Sequence, residues 1–468
     1  MLIRAERIRF GAILTTALLA ACATDRRPLE PVPPTIETAS VAANANNVLS
    51  AIVSTRVQGA DSVAVRFRLA GVAGVDSVTP AIVPGTDDAT IPVLGLLPER
   101  RYVFHVIAYG AAAALGDSLD LRTGALPIDL PAYSASGDAP GTGFVVFAAG
   151  RYGLVIDRSG RVVWYRKFES GPGLNFMTEP TGRYVVRPPT PATNGALPWL
   201  EIDALGDVTR SYGCALGLQP RFHDLIDSGA DGYWVLCDET RTMDLTAFGG
   251  LADARVTGTA VQHIGANGEV LFQWSAFDHL AITDLDPIDR AGSMVNWTHG
   301  NALDFAADGN LLVSFRALNE ITKIDIATGR IIWRMGGRAN QFTFLDTPAP
   351  AFARQHGVRM IAPSTLILLD NLGDPKESRA ERYELDEAHH TARLLQSYGS
   401  VPAVVTEIGG SVQPLAGGRT LVSFGTAGRI EEFDAAGHRL WRIDGNPGYV
   451  FRAQWIRSLY APGIGTSR

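Results

Sequence analysis

Charge is scarce in this chain of 468 residues: 19% of positions are charged and the formal net charge is -7. A nucleic-acid duty is excluded, because it requires a basic face that displaces counterions. Long amphipathic helical patterns are also rare, which excludes a helical bundle. Cysteine occurs three times, at Cys22, Cys214 and Cys237, so the fold has at most a few covalent staples. No apolar run is long enough to span a bilayer comfortably; the best, Phe10 to Ala21, falls short. What remains is near half hydrophobic residues, in short Val, Ile, Leu and aromatic runs separated by Gly, Asp, Asn and Pro, and this reads as an all-β chain. It is too long for one ordinary core.

The N-terminus reads as an address. Arg4, Arg7 and Arg9 precede the apolar run, and Leu19-Ala20-Ala21-Cys22 resembles a bacterial lipobox, in which small residues admit a signal peptidase and the new terminal cysteine carries lipid. Residues 1-22 are therefore expected to be a lipoprotein signal peptide ending at the lipidation site Cys22. Ala23 follows it, with no aspartate to mark inner-membrane retention, so the expected location is the periplasmic or surface side of the outer membrane. Cys214 and Cys237 would then sit in an oxidising compartment, where a bridge and two buried free thiols are both compatible with the sequence.

Residues 23-34, rich in Pro and charge, suit an extended tether. From 35 to 125 the pattern alternates, as in Val63, Val65, Phe67 and Leu69, whose side chains share one strand face. The stretch Leu96-Leu97-Pro98-Glu99-Arg100-Arg101-Tyr102, continued by Phe104, Val106 and Ala108, resembles the tyrosine-corner segment of fibronectin type III domains. A small Ig/fibronectin type III-like sandwich is expected there, as spacer or support, followed by a linker over Leu126 to Pro131.

Beyond residue 135 a repeat appears: an apolar residue, Asp, a turn ending in Gly, then an apolar pair and Trp. Clear copies run from Ile156-Asp157 through Gly160 to Trp164, from Ile324-Asp325 through Gly329 to Trp333, and from Phe433-Asp434 through Gly437 to Trp441. Weaker ones begin at Ile202, Ile264 and Leu385. Each reads as a β-hairpin, and the spacing predicts a six-bladed β-propeller over 135-462, with the Tyr449 to Tyr460 segment closing the ring.

Three histidines recur in successive repeats: His223 in Arg-Phe-His-Asp, His299 in Trp-Thr-His-Gly-Asn and His356 in Gln-His-Gly. Each is expected to open the first strand of its blade, and first strands line a propeller's axis, so the three should converge. Asn301 and Arg316 should reach the same space. A guanidinium fork, an amide and imidazoles that donate, accept or attack suit a tetrahedral oxyanion undergoing in-line group transfer.

Over roughly 140 to 460 these motifs, with Ser314-Phe315-Arg316, resemble the bacterial aryl-sulfate sulfotransferase (arylsulfotransferase) family and occur in its order. The resemblance implies that His356 is the nucleophile and carries the sulfuryl group as sulfohistidine, with His223, His299, Asn301 and Arg316 gripping its oxygens. It further implies a phenolic sulfate donor, a phenol acceptor, ping-pong transfer, and no cofactor, neither metal nor adenosine phosphosulfate. Either His299 or His223 is a candidate acid and base. Two rivals stand beside this reading: a metal-dependent propeller enzyme with a three-histidine site, and a non-catalytic surface-binding propeller lipoprotein. Membrane contact is expected through the N-terminal lipid alone, and a homodimer is left open because oligomeric state leaves no mark in the sequence.

Overall fold

The computed structural model describes residues 32 to 460 except 73, 75, 139-140, 170-174, 189-197, 347-350 and 446. The signal segment, Cys22 and nearly all of the tether lie outside the described residues. Among those residues no helix is long and apolar enough to cross a membrane.

The alternation near the start of the described chain produces two antiparallel sheets packed face to face. One holds Thr35–Ala43, Ser50–Gln58 and Asp88–Leu94; the other holds Ser62–Leu69 and Arg101–Tyr109, with the short strands Ser77–Val78, Ala113–Leu115 and Leu119–Arg122. Along Arg101–Tyr109 every second residue, Tyr102, Phe104, Val106 and Ala108, is buried against Val53, Val63, Val65 and Ile91. The Tyr102 hydroxyl accepts a hydrogen bond from the Leu97 N–H at 2.9 Å, fixing the turn into that strand. This unit is docked on its neighbour rather than held at a distance. Leu49 and Leu94 enter the apolar clusters of the following sheets, Asn44 Nδ2 donates to the Leu205 carbonyl at 2.8 Å, and the Leu94 N–H donates to the Tyr460 hydroxyl at 3.1 Å.

The remaining described residues build six antiparallel sheets of four main strands. Their innermost strands are Ala453–Ile456, Asn175–Thr178, Gln219–Asp227, Gly300–Phe305, His356–Ala362 and Ser411–Pro414. In all six sheets the last hairpin carries a register shift. The Asp–Gly repeat explains these hairpins. Asp157 Oδ1 accepts from the Ser159 and Arg161 N–H groups, Asp434 Oδ1 from those of Ala436 and His438, and Gly160 and Gly437 take φ near +90°, which a Cβ would oppose.

Two of the repeated tryptophans tie sheet to sheet. The Trp164 indole N–H donates at 2.8 Å to the Ala204 carbonyl in the next sheet's turn, and that of Trp441 donates at 2.9 Å to the Arg158 carbonyl, linking last sheet to first. The chain ends clasp twice: Ala453–Ile456 pairs with Phe144–Ala149, as expected of the terminal segment, and Ser134–Gly137 adds an outer strand to Arg439–Asp444.

Polar side chains link the innermost strands all the way round. Thr178 N–H donates to Gln454 Oε1, Asn175 Nδ2 to the Phe222 and His223 carbonyls, Arg221 Nε to the Gly300 carbonyl, Asn301 Nδ2 to the Gln355 carbonyl, and Asn371 Nδ2 to the Gly409 carbonyl, while Ala453 N–H donates to Ser411 Oγ. Buried backbone and amide groups seldom lack a partner, so these bonds fix how the inner strands meet.

Candidate active site

The three histidines meet at one end of the inner strands, by three different backbone devices. His356 opens its strand, as expected. His299 lies one residue before its strand, at φ +53°, a left-handed conformation that a non-glycine residue seldom adopts. His223 corrects the expectation that it opens its strand. It sits in the middle of Gln219–Asp227, inside a stretch where pairing lapses between Pro220 and Leu225, and the lapse frees Arg221, Phe222, His223 and Asp224 to turn side chains out of the ladder.

His223 Nε2 lies 3.2 Å from His299 Nε2, and the rings of His223 and His356 are 6.4 Å apart. His299 Nδ1 accepts from Asn296 Nδ2 at 2.6 Å, which leaves the ring proton on Nε2, pointing at His223. His223 Nδ1 is buried with no partner. His356 is fully buried. Its Nδ1 lies 2.8 Å from Asn371 Oδ1 and 3.0 Å from the Arg354 carbonyl, two acceptors, so Nδ1 carries the proton and Nε2 the lone pair. The Gly409 N–H approaches that Nε2 at 3.3 Å.

Burial is the main force on the titration of all three. It pushes His356 down to about 4, against the Asn371 hydrogen bond that raises it, with Arg316 adding to the depression. His223 and His299 are held well below the ordinary histidine value by burial, then by Arg221 and the neighbouring imidazoles and Arg316. Near neutral pH the free protein presents three neutral imidazoles. Positive charge comes from Arg316, whose backbone N–H donates to the His299 carbonyl at 3.0 Å and whose Nη2 donates to the Glu407 carbonyl at 2.9 Å; its Nε is buried without a partner.

Asn301 is placed differently from the expectation that it faces the same pocket as a free donor. Its Nδ2 is bonded at 2.7 Å to the carbonyl of Gln355, the residue before His356, while its Oδ1 is buried and unpartnered. Buried atoms of His223, Asn301 and Arg316 thus stay unsatisfied, each at a cost of about 1–3 kcal/mol.

Several neighbours were not singled out from the sequence. Asn371 contacts the buried histidine directly. Phe451 packs edge-on against His223, His356 and Phe222, and Tyr449 packs on Phe451. Beneath the histidines Asp224 pairs with Arg359 at 3.1 Å and Arg452 at 3.0 Å, and Arg452 donates to the His223 carbonyl at 3.2 Å. Only ring closure carries Phe451 and Arg452 to this position; no local pattern could have flagged them. Cys214 and Cys237 are joined in a disulfide, with Cα atoms 6.2 Å apart, pinning the segment before Arg221 to the strand bearing Asp238, the partner of Arg221. Among the described residues no group of three or more His, Cys, Asp or Glu side chains is arranged to hold a metal ion.

Residues 221–446 match the family model of the arylsulfotransferases (ASST), a span that contains His223, His299, Asn301, Arg316, His356 and Asn371. No curated protein matches the chain. Among solved structures, a protein of unknown function from Bacteroides caccae is 11% identical, with 68% of this chain and 100% of that one covered at a TM-score of 0.45. A catalytically inactive virginiamycin B lyase from Staphylococcus aureus with quinupristin is 10% identical, covering 66% and 87% at 0.36. A putative gluconolactonase is 14% identical, covering 70% and 96% at 0.33.

Proposed function

We propose that the chain is an aryl sulfotransferase that carries the sulfuryl group on His356. The six sheets are read as the blades of a six-bladed β-propeller, preceded by a fibronectin type III-like sandwich. One observation carries the mechanism: a buried, neutral imidazole has its Nδ1 proton committed to Asn371 and the Arg354 carbonyl, leaving the Nε2 lone pair as the only nucleophilic atom of that ring. The arylsulfotransferase family match supports the chemistry independently.

In the first half-reaction Nε2 attacks the sulfur of an aryl sulfate in line, the bond from sulfur to the aryl oxygen breaks, and a phenolate leaves. In the second, the oxygen of a phenol acceptor attacks the same sulfur and the S–N bond breaks. Arg316 offers fixed charge to the sulfuryl oxygens and His223 the N–H of its unpartnered Nδ1, while His299 holds that tautomer through its own Nε2–H. Phe222, Tyr449 and Phe451 supply an apolar flank suited to an aryl ring. The chemistry asks for no metal and no adenosine phosphosulfate.

Incubation with a chromogenic aryl sulfate and a phenol is expected to release the chromophore in an acceptor-dependent manner and to place sulfuryl on the His356 peptide. His356→Asn is expected to abolish both while leaving the melting temperature in place. Equal rates in the variant would dismiss His356 as nucleophile. Export as a lipoprotein belongs to the same proposal, and a mature N-terminus other than lipid-modified Cys22 would end it.

A further inference from the structure

The acceptor facing His356 Nδ1 is an amide, where a carboxylate is the commoner partner of a catalytic imidazole. Asn371 is fully buried, with its Oδ1 2.8 Å from His356 Nδ1. Its orientation is fixed, because Nδ2 donates to the Thr406 carbonyl at 2.8 Å and the Gly409 carbonyl at 3.0 Å; a flipped amide would set oxygen against both carbonyls. Its backbone is held as well, since Ser378 Oγ donates to the Asn371 carbonyl at 2.8 Å and accepts from the Thr406 N–H at 2.7 Å. The peptide unit that closes this clamp, at Gly409, also presents its N–H to His356 Nε2. The buried amide, with the Arg354 carbonyl, thus holds the proton on Nδ1 and leaves the lone pair on Nε2, which accepts from the Gly409 N–H.

The proton count separates an amide from a carboxylate at this position. When Nε2 takes the sulfuryl group and the aryl oxygen departs, the ring keeps its Nδ1 proton and becomes a sulfo-imidazolium. The leaving group of the second half-reaction is then a neutral imidazole. A carboxylate would accept the Nδ1 proton, leave a neutral sulfo-imidazole, and force the acceptor to expel an imidazolate, a far poorer leaving group. An amide oxygen accepts the hydrogen bond without taking the proton. Resting on the reading of His356 as nucleophile, we propose that Asn371 is a positioning residue that retains the proton on Nδ1 of the sulfurylated ring and so keeps the sulfuryl group transferable.

The test uses the full chain with a chromogenic aryl sulfate, by rapid quench and in steady state. Asn371→Asp is expected to keep the burst of phenol release while acceptor-dependent turnover falls ~100-fold or more, with sulfuryl accumulating on His356. Parental turnover in the variant, or burst and turnover falling together, would overturn the inference. Should the variant not fold, nitrogen NMR of the sulfurylated parent decides: a protonated Nδ1 supports the proposal and a bare one refutes it. A parent that never carries sulfuryl on His356 fails the proposed function itself, an outcome distinct from either.

Discussion

The outer hairpins and the inner strand ends of the six-sheet unit follow opposite rules. At the rim one device recurs, an aspartate capping a tight turn with a glycine at positive φ, and in two closures a tryptophan bridging to the next turn, although the indole N–H groups of Trp274 and Trp333 are buried without a partner. At the inner ends regularity breaks: pairing lapses around His223, His299 and Arg354 adopt positive φ, and buried atoms of His223, Asn301 and Arg316 have no partner. Local consistency builds the scaffold, and the departures around the three histidines fall where the proposed substrate would bind.

That contrast breaks if inner-end substitutions unfold the protein or rim substitutions stop chemistry. The largest effect is expected from Arg316→Ala, lowering kcat/KM with an aryl sulfate by ~100-fold or more, as removal of a charged oxyanion donor does, with little change in melting temperature. Both would be read on one preparation, and a folding defect of matching size would place Arg316 with the scaffold. Next comes the disulfide. Replacing Cys214 and Cys237 by Ala is expected to cost about 3 kcal/mol in denaturant unfolding, from the entropy of a loop of this size, with kcat/KM within a few-fold; a large kinetic loss would mean that the bridge positions Arg221 for function.

Trp441→Phe sharpens the rim side. Losing the indole bond to the Arg158 carbonyl and part of a buried side chain is expected to cost about 2 kcal/mol, with kcat unchanged; a decline in kcat would show that closure of the ring tunes the site. The smallest effect is expected of pH. His356 titrates at about 4, so below that it is protonated and its Nε2 lone pair is lost, whereas above it the nucleophile is free. Lowering the pH from 7 to 5.5 should change kcat/KM less than about twofold, and an acid limb near 6.5 would contradict a buried, depressed imidazole.

Much of this arrangement was legible locally. The Asp–Gly–Trp repeat announced itself because each copy forms its own hairpin, and the short motifs around His223, His299 and His356 pointed to side chains that do meet. The place of His223 was misjudged because the Arg221–Asp224 lapse in pairing is set by the neighbouring strand, which carries no signal in those residues. Asn371 carries no local signal, since its role lies in contacts with the Gly409 loop and His356, distant along the chain. The choice between a bridge and free thiols at Cys214 and Cys237 was likewise open until the sheet set their separation.

By itself the sequence determined the β-class, the repeat and the chemical types gathered for an anion, because periodicity, turn chemistry and side-chain functional groups are properties of neighbouring residues. Tertiary structure alone decided which imidazole nitrogen keeps its proton, which aromatic rings flank the site and how far burial depresses each histidine. Those depend on distances between groups far apart in the chain and on the exclusion of water from between them, and neither exists before the ring closes.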